Sequence, residues 1–249
     1  MFDESIKAVL CDIGGVLYVG NKPIDGAVET LKKIKQHYPI RFLTNTTQKT
    51  SLQVVKKLQS MGFDIKSEDV ITALDVTKMF LEKEKSSAEF LLTDDALHFF
   101  DELKYYEKKY VVVGDAQDNF SYKNLNRAFR ELINGARLLA IAKNRYFKDA
   151  DNELSMDVGC FVSALEYGSG QEASLIGKPS KEFYHLACAS LHVTPNECVM
   201  IGDDIESDIK GAQEAGTQAA LVKTGKFSKT DLSLGIKPDY VFESIAAIS

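Results

Sequence analysis

The sequence predicts an α/β fold built on parallel strands, and three observations point to it. Short apolar runs alternate along the chain with segments whose apolar residues recur at helical spacing, as in βα units of a parallel sheet. The composition is that of a globular protein, because 45% of the residues are hydrophobic and 27% are charged. With 249 residues the chain is long enough for roughly one to two domains.

The first third of the chain shows the alternation most clearly. Strands are predicted there at residues 7–12 and 40–44, and helices at 26–37, 48–61 and 73–84. In the first of these helices Ala27, Leu31 and Ile34 share one face, which predicts burial of that face against the sheet. Gly62 ends the second helix, because glycine adopts the left-handed conformation of a helix C-cap without strain.

The middle and final thirds continue the same pattern. In the middle, strands are predicted at 89–92, 110–114 and 138–142, helices at 96–103, 122–134 and 157–167, and a polar turn at 149–153. In the final third, strands are predicted at 174–176, 198–202, 219–222 and 240–242, and helices at 181–191 and 208–215. The pattern contains neither an internal repeat nor a low-complexity segment.

Charge and cysteine usage exclude several classes of protein. The chain carries 30 basic and 36 acidic residues, so its net charge of −6 disfavours a nucleic-acid partner. Its four cysteines form no CxxC pair and its histidines no HxxxH pair, so the spacing predicts no zinc site and favours buried thiols in a reducing compartment. The sequence predicts neither a signal peptide nor a membrane span, and we expect a cytoplasmic protein.

Polar side chains follow three of the predicted strands, and a lysine lies in a turn near a fourth. Because ligands of parallel sheets bind beyond the carboxyl ends of the strands, we expect these side chains to meet in one crevice. The residues concerned are Asp12, Thr44, Asn45, Lys178, Asp203, Asp204 and Asp208.

This set of side chains favours phosphoryl transfer. Clustered carboxylates are held ionised by a divalent cation, and Mg²⁺ takes one or two carboxylates together with phosphate oxygens and water. Lysine binds phosphate as a point charge, threonine and asparagine donate hydrogen bonds, and an aspartate can be the covalent nucleophile. Each element alone is commonly a turn or a helix cap. Their occurrence together, each at a strand end or in a loop, favours a phosphoryl-transfer site.

These segments resemble the four motifs of the haloacid dehalogenase (HAD) superfamily, and they read DIGGV, FLTNTT, IGKP and IGDD. About 130 residues separate Asn45 from Lys178. That spacing, together with the segment FVSALEY, resembles the NagD-type subclass (IIA), and within it the group called haloacid dehalogenase-like hydrolase domain-containing 2. The resemblance implies a Rossmann-like parallel-sheet core at 1–74 plus 175–249. Residues 75–174 would form a large inserted α/β cap of the C2 type that selects the substrate.

The resemblance also implies roles for individual residues. Asp12 would be the nucleophile and a ligand of Mg²⁺, and Asp203 would be the second carboxylate ligand. Thr44 and Asn45 would bind the phosphoryl group, whose charge Lys178 would neutralise. Asp204 and Asp208 would support the metal shell.

Two positions depart from the family pattern Asp-x-Asp-Gly-Thr. The second aspartate, which protonates the leaving group and then activates water, is Gly14 in this chain, and Val16 replaces the threonine. Position 14 contributes only its backbone carbonyl to the metal in this family, so we expect metal and phosphate binding to persist. We expect the missing general acid–base to slow turnover by about 10²–10⁴-fold.

Three functions follow from this pattern. The first is a Mg²⁺-dependent phosphatase of weakened turnover that acts on a small phosphorylated compound. The second is a non-catalytic protein that binds phosphate and metal, and the third is other HAD chemistry, such as dehalogenation or phosphonate cleavage. A response-regulator receiver is about half this length and has no cap, so it is excluded. The resemblance also allows a homodimer formed through the cap.

Overall fold

The computed structural model describes residues 2–47, 50–104, 106–148 and 153–248, and the chain divides into two compact units. The first unit comprises Met1–Thr44, Ser51–Ile71 and Lys178–Ser249, and the second comprises Asn45–Thr50 and Thr72–Gly177. None of the helices in the described ranges is long and apolar enough to cross a membrane.

The first unit is built on a six-stranded sheet. Its strands are β1 (Ala8–Asp12), β4 (Ile40–Thr44), β5 (Val70–Thr72), β12 (Cys198–Gly202), β13 (Gln218–Val222) and β14 (Tyr240–Phe242), in the order β14-β13-β12-β1-β4-β5. The pairings from β14 to β4 are parallel, with Leu10 aligned with Met200 on one side and with Arg41 on the other. The carboxyl ends of β1, β4 and β12 therefore share one edge of the sheet.

Helices and a small hairpin complete this unit. They are the hairpin β2 (Tyr18–Val19) and β3 (Lys22–Pro23), and the helices α1 (Ala27–His37), α2 (Ser51–Ser60), α7 (Lys181–Ala189) and α8 (Gly211–Glu214). A wider helical turn, Ile205–Lys210, runs directly into α8. Ala27, Leu31 and Ile34 of α1 are buried in the core that includes Phe42 of β4, so the predicted apolar face of α1 packs as expected.

The second unit has its own four-stranded parallel sheet, of order β11-β8-β7-β6. The strands of this sheet are β6 (Ser87–Leu91), β7 (Lys108–Val113), β8 (Arg137–Ala140) and β11 (Ser174–Leu175). The unit also contains a separate antiparallel pair, β9 (Tyr146–Lys148) and β10 (Leu154–Met156). Its helices are α3 (Ala73–Lys83), α4 (Asp94–His98), α5 (Tyr122–Ile133) and α6 (Val158–Ser169). The rings of Phe120 and Phe161 stack with centroids 3.7 Å apart in this unit.

Most predicted elements are confirmed, and the differences have local causes. Helix α4 begins at Asp94 rather than at residue 96, because the Thr93 hydroxyl caps it. Of the predicted turn at 149–153, residues 149–152 lie outside the described residues. The expected boundary at 74/75 lies three residues after the boundary between the units at 71/72, where Thr72 caps α3. The expected boundary at 174/175 lies three residues before the one at 177/178. Residues 45–50 belong to the second unit as well.

Candidate active site

Asp12 lies at the carboxyl end of the central strand, where burial governs its chemistry. It ends β1, all five residues of which are buried, and is itself 8% exposed. Burial, followed by the charge of Asp208, raises the pKa of the Asp12 carboxyl to about 7, although the Lys178 ammonium acts in the opposite direction. The side chain is therefore held at the sheet edge in a site where a cation would favour its ionised form.

The end of the neighbouring strand β12 supplies two further carboxylates. Asp203 follows Gly202 directly, and Asp208 lies on the helical turn that begins after Asp204. A Cβ on Gly202 would stand 2.2 Å from the Asp208 Cβ, so only glycine lets that turn approach the strand. Asp203 and Asp208 are 2% and 1% exposed, and burial raises the pKa of Asp203 to about 6.

Lys178 links the carboxylate at the end of β1 to a carboxylate that follows β12. Its ammonium donates hydrogen bonds to the carboxylate of Asp12 and, over 2.7 Å, to Oδ1 of Asp208. Burial lowers the pKa of Lys178, but the charges of Asp12 and Asp208 outweigh burial and raise this pKa well above its usual value. Lys178 is therefore a fixed positive charge in the site.

The site can hold a hard divalent cation. Asp12, Asp203 and Asp208 each offer a carboxylate oxygen, and these oxygens lie within 4.8 Å of one another. Against one ammonium, three ionised carboxylates leave two negative charges in excess, and buried charges are costly unless they are paired or bind a metal. An all-oxygen donor set of this charge fits Mg²⁺.

Asp208 and Asp204 lie in different surroundings. Asp208 belongs to the three-carboxylate cluster itself, whereas Asp204 is not among its members. The carboxylate of Asp204 caps the helical turn by accepting from the backbone N–H groups of Glu206 and Ser207, and it pairs with Lys226 over 3.2 Å. The helix predicted from residue 208 accordingly begins at Ile205.

The remaining predicted residues lie in different places. Thr44 ends β4, the strand beside β1 in the sheet of the first unit. Asn45 belongs to the second unit, where it lines a cavity with Thr46, Thr47 and Asp115. Gly14 is exposed, and no heavy atom of the described residues lies within 4 Å of a Cβ built on it.

One part of the site was not predicted from the sequence. The loop after β13, at residues 224–226, reaches the motif that follows β1. The Thr224 hydroxyl donates to the Gly15 carbonyl oxygen over 2.5 Å, and the Lys226 backbone N–H donates to Oδ2 of Asp203 over 2.6 Å. The signal was present in the sequence, because β13 is followed closely by a hydroxyl, a glycine and a lysine, at Thr224, Gly225 and Lys226.

Comparison with known proteins identifies the family. A family model described as haloacid dehalogenase-like hydrolase matches residues 9–124, and one described as HAD-hydrolase-like matches residues 175–248. A human protein named haloacid dehalogenase-like hydrolase domain-containing protein 2 is 38% identical over 239 residues, which cover 96% of this chain and 92% of the human protein. The chain belongs to the haloacid dehalogenase-like hydrolase family.

Two further similar proteins indicate the type of hydrolase. A zebrafish (Danio rerio) protein named phospholysine phosphohistidine inorganic pyrophosphate phosphatase is 38% identical, over 92% of this chain and 87% of that protein. The structure of NagD from E. coli K-12 matches with a TM-score of 0.89 at 25% identity, over 98% of each chain. The chain is thus a NagD-type HAD hydrolase of the phosphatase class, with the HAD core and a cap domain.

Proposed function

We propose that this HAD hydrolase is a Mg²⁺-dependent phosphatase that acts on a small phosphorylated compound through an aspartyl-phosphate on Asp12. The observation that carries the proposal is the buried cluster of Asp12, Asp203 and Asp208, in which the ammonium of Lys178 pairs with Asp12 and Asp208. Such a cluster supplies a nucleophilic carboxylate, metal ligands and a fixed positive charge within one site.

Asp12 and Asp203 would hold the metal, together with the backbone carbonyl of Gly14, and Asp208 would support them. When bound, Mg²⁺ neutralises negative charge that develops on the phosphoryl oxygens. In the first step an oxygen of Asp12 attacks phosphorus and the bond from phosphorus to the leaving group breaks. Water then hydrolyses the resulting acyl phosphate and releases inorganic phosphate and the free carboxylate of Asp12.

Lys178, Thr44 and Asn45 would bind the group that is transferred. The Lys178 ammonium stays protonated, so it can offset the charge of a phosphoryl oxygen in both steps. We assign Thr44 and Asn45 to hydrogen bonds with further phosphoryl oxygens. The second unit, with the expected cap at 75–174, would select the leaving group.

Gly14 determines which substrates turn over. Without a carboxylic acid at this position, the leaving group departs without a proton from residue 14. A phenolate, with a pKa of about 10, or a phosphate, with a second pKa of about 6, departs more easily than an alkoxide. The names of phosphatases for phospholysine, phosphohistidine and pyrophosphate among the relatives fit substrates of this kind, because the nitrogen of a phosphoramidate is already protonated when the P–N bond breaks and leaves as a neutral amine or imidazole. We therefore propose aryl phosphates, phosphoanhydrides and phosphoramidates as its substrate classes.

A substrate screen tests this proposal. Rates are measured with 4-nitrophenyl phosphate, pyrophosphate, a phosphoramidate and an alkyl phosphate, each with Mg²⁺ and with a chelator. We expect the first three to be hydrolysed faster than the alkyl ester, and chelation to abolish every rate. An alkyl ester as the best substrate would contradict the role of Gly14. Binding of Mg²⁺ and phosphate without any hydrolysis would favour a protein that only binds them.

The remaining expectations about this protein stay proposals. All four cysteines are free thiols, which fits a cytoplasmic location. A homodimer formed through the cap and the absence of a nucleic-acid partner stay predictions.

A further inference from the structure

We infer that the loop at residues 224–226 is a positioning element, which fixes Asp203 and the backbone after β1 and thereby sets the affinity for the divalent cation. Its positioning residue is Thr224, which acts through the backbone of Gly15. The inference deepens the proposed function and rests on it for the identity of the metal ligands.

The first observation is a cradle of two glycines around the Asp203 carboxylate. A Cβ built on Gly15 or on Gly225 would lie 2.0 Å from the same oxygen, Oδ2 of Asp203. Both glycines have left-handed backbones, with φ of 80° and 62°. The two loops thus enclose one carboxylate oxygen at a distance that no other residue type permits.

The second observation is a hydrogen bond to that same oxygen. The backbone N–H of Lys226 donates to Oδ2 of Asp203 over 2.6 Å. Because Asp203 is only 2% exposed, this bond and the cradle leave its carboxylate little freedom to rotate. A metal ligand held in this way needs no reordering when the cation binds.

The third observation ties the two loops together. The Thr224 hydroxyl donates to the Gly15 carbonyl over 2.5 Å, and the Gly15 N–H donates to the Tyr18 carbonyl over 2.8 Å. Both backbone polar groups of Gly15 are therefore engaged, and they fix the peptide segment that contains the Gly14 carbonyl. Val16 has no hydroxyl, and the Thr224 hydroxyl reaches this segment from the loop after β13.

These contacts form a second layer around the ligands. Removal of a hydrogen bond that orients a metal ligand typically weakens metal binding by about 10–100-fold. We expect loss of the Thr224 hydroxyl to weaken metal binding by an amount at the lower end of that range, because the hydroxyl acts through one backbone carbonyl. We expect a methyl group on Gly225 to weaken metal binding by an amount at the upper end of that range, because it displaces the Asp203 carboxylate.

The test compares matched variants of the full chain. Thr224→Val removes the hydroxyl at nearly constant shape, and Thr224→Ser restores it. Gly225→Ala places a methyl group against Asp203. Its control is Gly235→Ala, where φ is also positive, at 76°, and where no described atom lies within 4 Å of the new Cβ. Lys223→Ala removes only the neighbouring ion pair with Glu243.

Two measurements are made on each variant. Hydrogen exchange of the metal-free protein follows the amides of residues 13–18, and titration calorimetry gives the dissociation constant for Mg²⁺. We expect Thr224→Val to accelerate this exchange and to weaken Mg²⁺ binding about tenfold. Thr224→Ser should restore both properties, Gly225→Ala should weaken binding about 10–100-fold, and both controls should bind as the parent does.

The outcomes separate this inference from the proposed function. Unchanged exchange and affinity in Thr224→Val, or a failure of Thr224→Ser to restore them, would overturn the inference while metal binding by the parent stands. A parent that binds no Mg²⁺ would instead overturn the proposed metal site, and the exchange data would still decide whether Thr224 fixes the segment. If Gly225→Ala does not fold, the two Thr224 variants decide the matter.

Discussion

Replacing Gly14 by aspartate should restore the missing acid–base group and raise turnover. The position lies two residues after Asp12, in the segment that follows β1. Its backbone is not among the left-handed glycines, and a Cβ there meets no heavy atom of the described residues within 4 Å. The new side chain therefore fits without backbone strain and without displacing the carboxylate cluster.

The size of the gain follows from how loosely the new carboxyl group is held. A positioned general acid–base residue contributes about 10²–10⁴-fold in rate. Gly14 is exposed, and the same open space that admits the side chain offers it no packing partner. A misplacement of about 1 Å can cost 10²-fold, so we expect a gain of about tenfold in kcat.

The assay is the steady-state rate with Mg²⁺ on an aryl and on an alkyl phosphate, with Gly14→Asn as the control. Asparagine matches aspartate in shape but cannot transfer the proton. The gain should be larger on the alkyl ester, whose leaving group needs the proton more. Any aspartyl-phosphate trapped in the parent should also decrease in Gly14→Asp. Equal rates for the aspartate and asparagine variants on both substrates would refute this account of Gly14.

Four further results are expected. Asp12→Asn should abolish turnover on every substrate, because an amide is not a nucleophile, and residual hydrolysis would contradict its role. Calorimetry should show that Mg²⁺ binds to the parent and that Asp203→Ala abolishes this binding. The control Asp231→Ala, which removes a helix-capping carboxylate elsewhere, should bind Mg²⁺ as the parent does. Mg²⁺ affinity should fall as the pH drops below 7. The Asp12 and Asp203 carboxyls, with pKa values of about 7 and about 6, then take up protons that the cation must displace. An affinity that does not depend on pH would contradict this prediction. Phe42→Ala, in the buried core, should lower the free energy of unfolding in urea by about 3–5 kcal/mol, and a loss below 1 kcal/mol would contradict that packing.

The order of elements was predictable because hydrophobic periodicity records which faces are buried. The strands ending at Asp12, Thr44 and Gly202 appear in the structure with the predicted carboxyl ends. The hairpin of β2 and β3 was not predicted, because strands of two residues are too short to show an alternation. The pair β9 and β10 has three residues in each strand and was missed for the same reason.

The site was predictable as a set of residues but not as a set of contacts. The spacing placed Asp208 near Asp203, but not its hydrogen bond with Lys178, which depends on the close approach permitted by Gly202. The pairing of Asp204 with Lys226 and the bond from Thr224 to Gly15 join residues far apart in the sequence. Such contacts depend on the order of strands in the sheet, which local patterns do not encode.

The proposed mechanism requires that Asp12 becomes phosphorylated during turnover. The most direct measurement mixes the protein with Mg²⁺ and phosphorus-labelled 4-nitrophenyl phosphate, quenches the mixture in acid within milliseconds to seconds, and maps the label by peptide mass spectrometry. We expect phosphate on the peptide that contains Asp12. This label should be lost on treatment with alkali or hydroxylamine and should be absent from Asp12→Asn. Turnover that proceeds in the parent with no label on Asp12 at any quench time, and that persists in Asp12→Asn, would contradict it.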